Sequence, residues 1–185
     1  MESMTASPSS LLPRSSQAYR AIGWAGLLAG ALDLTTALVE AGLEGKSPVY
    51  LLQAIAGGLL GMHAFQGGLA TAALGGFFHF LIATTASAVF YLASRRVKLL
   101  VQHAIPSGLL YGVAVYVFMS YIVLPLSAYH TKIALPSIRD VAVHMLMVGL
   151  PISLMVRKYS KFRSPILAGH VPHTDAHLES GSPRG

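Results

Sequence analysis

An aspartate and two histidines stand inside otherwise apolar stretches of this 185-residue chain: Asp33, His79 and His144. Tyr121, with Ser120 beside it, adds hydroxyls to a third apolar stretch. A carboxylate and imidazoles held away from water can exchange protons near neutral pH, so such groups mark proton or small-solute paths. Two histidines from different helices at one depth could also serve as the axial ligands of a b-type haem. Asp33 with both histidines would make a donor set for a metal ion. The plain alternative is a hydrogen-bond clasp that fixes helix register, because an ionisable group inside a membrane is costly unless paired. Asp140 and His144 lie one helical turn apart and can pair on one face. Thr35, Thr36, Thr84 and Thr85 can bond their own backbones. The residues therefore point to a buried polar layer of Asp33, His79, Tyr121 and His144, with no cofactor or metal bound. A redox or metal-binding role for His79 and His144 is the alternative.

The elements that must position these groups follow from composition. Hydrophobic residues make up 54% of the chain and charged residues 11%, against about 25% charged in an ordinary soluble domain. Mean hydropathy is +0.59. This composition excludes an ordinary cytosolic enzyme, a disordered chain and a nucleic-acid-binding domain. The formal charge of +6 comes from short basic clusters beside apolar segments, which is how membrane topology is encoded. There is no cysteine, which removes disulfides, thiolate metal sites, iron–sulfur clusters and covalent c-type haem.

Four stretches are long enough to cross a hydrocarbon core of about 30 Å at 1.5 Å per residue: roughly 20–41, 68–94, 105–128 and 138–156. The last holds Pro151 and should be kinked. Between the first two, Ser47-Pro48 reads as a helix start, with proline at the first helical position. A short helix over 48–62 follows, too short to cross by itself, so it lies in the interface or dips back. The expected fold is an all-α integral membrane four-helix bundle with this extra interfacial or re-entrant helix. Residues 1–18 and 161–185 are polar and expected to be disordered. His170, His173 and His177 of the tail are read as incidental.

Lys and Arg set the orientation. Ten of the thirteen fall on one side, and Lys46, Lys132 and Arg139 on the other. The positive-inside rule then puts both termini in the cytoplasm, as an even number of crossings requires. Counted from the outer helix ends, Asp33 lies about 12 Å deep, His79 about 16 Å, Tyr121 about 11 Å and His144 about 9 Å. Packing is carried by small residues that let backbones approach closely. Gly26 and Gly30 form one such pair, Gly108 and Gly112 another, and Gly76 shares a face with Ala72 and His79. Not every glycine pair can be assigned within one chain, so a homodimer is also expected as an option.

The stretches LLQAIAGGLLG (51–61), AFQGGLATAALGGFFHFLIA (64–83), GLLYGVAVYVFMSYIVLPLSA (108–128) and HMLMVGLPISL (144–154) resemble a group of uncharacterised bacterial four-helix inner-membrane proteins. The resemblance spans roughly residues 22–157. It implies a bacterial inner-membrane location, an aspartate at Asp33 and histidines at His79 and His144, and it carries no established activity. A more distant similarity is to inner-membrane proteins linked to acid resistance. The expected role is non-enzymatic, in transport or stress response, with the lipid bilayer as partner, no nucleic acid, and the solute or proton left open.

Overall fold

Every described element is helical. The computed structural model describes residues 14–128 and 137–161, so the expectations for 1–13 and for most of the tail, including its three histidines, lie outside the described residues. The helices are α1 (Arg14–Leu43), α2 (Pro48–Leu60), α3 (Gly68–Arg96), α4 (Leu99–Gln102), α5 (Ala104–Phe118), α6 (Leu124–Leu126), α7 (Ile138–Val143) and α8 (Leu150–Lys161). Among the described residues, five helical runs are long and apolar enough to cross a membrane: Ser16–Leu43, Pro48–Gln66, Gly68–Arg96, Ala104–Leu126 and Ile138–Tyr159. The fifth arises because α2 continues directly into the 3-10 turn Gly61–Gln66, which raises its length to that of a crossing helix.

Two wide π turns interrupt the later helices, at Met119–Val123 and His144–Gly149. Each stands just before a proline, Pro125 or Pro151. A proline ring clashes with the carbonyl four residues back and offers no N–H. The extra residue in the turn relieves that clash.

α1 and α3 run antiparallel. Gly26 lies against Thr84 and Gly30 against Phe80 and Ala83, so close that a Cβ on Gly26 would stand 2.6 Å from the Thr84 Cα. α5 meets the α7–α8 run in the same way. Gly108 faces Ser153 and Gly149, while Gly112 faces His144 and Met145. Both glycine pairs are thus occupied inside the chain. Gly76 has only a distant Leu52 methyl near it, and the close approach falls to its neighbour Gly75, which abuts the Leu52 carbonyl of α2. The core is small: Ala29, Phe90, Val148, Ile152 and Val156 join α1, α3, the second π turn and α8. Leu27, Phe77, Val89, Leu110 and Leu126 remain exposed, the reverse of a soluble fold and what a lipid-facing surface requires.

α2 packs against the first turns of α3, with Leu52 and Ala56 beside Gly75. Ser47 caps it, accepting from the Tyr50 N–H at 3.1 Å. Buried Gln53 donates to the Gly68 carbonyl at 3.0 Å, and Ala128 N–H donates to the Gly58 carbonyl at 2.9 Å. Gly61, at φ 59°, turns the chain beside Ala128. In the loop before α2, Lys46 bonds Glu44 at 2.6 Å and holds its carboxyl below the usual carboxylate range.

Candidate functional site

The polar layer begins at the seam of α1 and α3. Small residues on both helices bring the backbones together there, and the gap is filled by side chains that can bond across it. His79 donates its Nε2–H to the Gly30 carbonyl at 2.8 Å. The same Nε2 lies 4.0 Å from the Asp33 carboxylate, beyond hydrogen-bond distance. The side chains of His79 and Asp33 are 14% and 23% exposed, so both are largely withdrawn. Phe80 closes one side of the imidazole, edge to face, at 5.5 Å.

His144 occupies a second seam, between α5 and the α7–α8 run. Its Nδ1–H donates to the Asp140 carbonyl at 2.9 Å, one turn back in its own helix. The bond is to the Asp140 backbone. Its ring stands edge-on to Tyr116 at 5.4 Å. Tyr116 is buried, and its hydroxyl accepts from the Ser137 N–H at 3.3 Å.

Registers set the relative heights. Arg139 pairs with Glu40 at 2.7 Å, joining the C-terminal end of α1 to the start of α7. Counting from that bridge, Asp33 is seven residues down α1 and His144 five residues down the α7–α8 run. The two therefore differ in depth by only about 3 Å. His79 shares the level of Gly30 and Asp33 through its own contacts. Counted in this way, Asp33, His79 and His144 lie at similar heights.

Tyr121 stands outside this layer. It is 39% exposed, on the apolar surface. Ala104, Gly108, Gly112 and Tyr116 mark the buried face of α5 at four-residue spacing. Tyr121 comes five residues after Tyr116, which turns it roughly 140° around the helix. Nor do the remaining three converge. Among the described residues no group of three His, Cys, Asp or Glu side chains could hold a metal ion. The metal set of Asp33 with both histidines is not assembled, and each imidazole already spends one nitrogen on a backbone carbonyl.

Sequence reasoning missed Tyr116, Gln53, Gly75 and Gly149. The four-residue spacing that ends at Tyr116 could have revealed the first. The others depend on how α2 and α8 cross their neighbours. Thr35, Thr36 and Thr85 bond the carbonyls four residues back, satisfying themselves within their own helices.

Helical rods with exposed apolar flanks, close glycine seams and a withdrawn Asp–His pair are the features of a helical membrane protein. No family model, curated protein or solved structure matches the chain. The likeness of its segments to four-helix inner-membrane proteins therefore has no counterpart in those comparisons.

Proposed function

We propose that the chain is a non-enzymatic multi-pass membrane protein in which Asp33 and His79 hold an exchangeable proton, in the service of transport or a stress response. The observation that carries this reading is the His79 ring, bonded across the seam to Gly30 and 4.0 Å from Asp33. The Nε2–H held by Gly30 is also the one nearest Asp33, so a small turn of the ring would bring it from the carbonyl to the carboxylate, where a proton can pass between base and acid. The site sits where α1 packs on α3, so a change in its protonation bears directly on how those helices fit.

The topology proposed with it has four crossings, both termini on the cytoplasmic face of a cell's inner membrane, and α2 dipping in and back. Phe80 lies beside Gly30, and twelve residues outward on each antiparallel helix reach Gly68 and Gly42. At equal rise per residue these stand level. The segment between α1 and α3 would then leave and return on one side, which supports a re-entrant α2. The base-rich ends of α1, α3 and α8 would face the cytoplasm.

The test is proton flux in vesicles. Purified chain in liposomes holding a pH-sensitive dye should admit protons under an imposed potential, and Asp33→Asn should abolish the added flux. Flux no greater than that of empty vesicles would count against the reading. So would an Asp33→Asn protein that conducts like the parent.

A further inference from the structure

The two ends of the bundle differ in charge. Among the described residues all four acids, Asp33, Glu40, Glu44 and Asp140, lie toward the end where α1 finishes and α7 begins. The bases there, Lys46 and Arg139, are both ion-paired. The opposite end carries Arg20, Arg95, Arg96, Lys98, Arg157 and Lys158 with no acid among the described residues. At that end the outer face of α1 forms a shallow open groove lined by Tyr19, Arg20, Gly23, Trp24 and Leu27.

These five residues follow the helical repeat and share one face. Tyr19 is 76% exposed, Trp24 50% and Leu27 49%. Gly23 differs from Gly26 and Gly30, because a Cβ placed on it would meet nothing within 4 Å. It packs against no helix and leaves a notch beside the indole. Arg20 makes no hydrogen bond or ion pair among the described residues, so its planar fork is free for an oxyanion. From Arg20 to Leu27 the helix descends about 10 Å, the distance from a headgroup phosphate into the acyl region.

We propose that this groove binds one anionic phospholipid. Its phosphate rests on the Arg20 guanidinium, Tyr19 and Trp24 flank the glycerol level, and an acyl chain lies in the Gly23 notch along Leu27. An apolar floor beneath a single cation selects a lipid over free phosphate, since the floor adds nothing for an ion in water. The surplus of bases around the same end draws anionic headgroups toward it. The proposal rests on the membrane reading of the chain.

Trp24 is the only tryptophan, so its fluorescence reports this groove alone. The full chain is mixed with vesicles of phosphatidylcholine carrying brominated phosphatidylglycerol or brominated phosphatidylcholine, and flotation is scored first. A chain left in the soluble fraction overturns the membrane reading and the site together. For a floating chain, the brominated anionic lipid should be favoured at Trp24 by about fivefold, the effect of one basic residue near a charged surface. Arg20→Gln should remove the preference, and Gly23→Leu, which fills the notch, should weaken quenching by both lipids. Lys98→Gln, at the same end but outside the groove, should leave the preference unchanged. Equal quenching by the two lipids in the parent overturns the site. So does an equal loss in Lys98→Gln and Arg20→Gln, which would mean diffuse surface charge. Failure of both lipids to quench overturns it as well, because another protein surface then covers the groove.

Discussion

Gly149→Ala should lower the stability of the bundle by about 3 kcal/mol or more, at the upper end of overpacking costs. A Cβ on Gly149 would fall onto the Gly108 carbonyl, 2.5 Å from Gly112 N and 2.7 Å from Gly112 Cα. All three are backbone atoms, so no side chain can swing aside to make room. The only response is to push α8 and its π turn away from α5, and the close contacts of this seam are the very ones that replace the hydrophobic effect inside lipid. The comparison is Gly23→Ala, where nothing lies within 4 Å. There a helix-interior alanine should be neutral or stabilise by up to about 1 kcal/mol. Thermal unfolding in detergent micelles checks both. Equal midpoints for the two variants would show that the α5–α8 approach is looser than described.

Loss of the Asp33–His79 contact should be the second large effect. His79→Leu removes the donor to Gly30 and leaves the carboxylate without its neighbour. Asp33→Asn keeps shape but deletes the charge. Each alone should cost about 1–2 kcal/mol, and the double variant less than their sum, with a coupling of about 0.6 kcal/mol, typical of polar pairs between membrane helices. The cycle is read from unfolding midpoints in one detergent. Simple additivity would mean that the two side chains share a seam without interacting, and the proton-holding role would lose its basis. A neutral Asp33→Asn with a costly His79→Leu would assign the seam to the Gly30 bond alone.

That the described chain is helical throughout was legible in the sequence, because long apolar runs without turn residues leave few other ways to satisfy a backbone in lipid. The seam glycines were legible for the same reason: Gly26, Gly30, Gly108 and Gly112 recur at one turn, and only close backbones explain such a stripe. The seam of α2 was not. Gly75 and Gly76 are adjacent, and which of them meets Leu52 depends on the crossing angle of a helix whose path no local pattern fixes. α2 itself ends at Leu60, close to the expected 62, and what the sequence did not show is the 3-10 turn that carries the chain on to Gln66.

Depth was easier to read than direction. Rise per residue is nearly constant, so counting from helix ends put Asp33, His79 and His144 at similar heights. Facing is set by rotation, where one residue counts for about 100°. That is why Tyr121 fell on the outer surface while Tyr116, five residues earlier, took the place beside His144. Two π turns add to the difficulty, since each shifts the face of everything after it and is visible only as a proline a few residues on.

The claim on which the rest depends is that His79 bonds Gly30 across the seam with the Asp33 carboxylate beside it. Nitrogen-15 spectra of the His79 imidazole in bilayers, recorded at neutral pH for the parent and for Asp33→Asn, test this most directly. The expected result is a ring protonated on Nε2 at neutral pH, as the Gly30 bond requires, with a nitrogen signal that changes when the carboxylate 4.0 Å away is replaced. Identical spectra from the two proteins, or a ring whose Nε2 carries no proton at neutral pH, would contradict it.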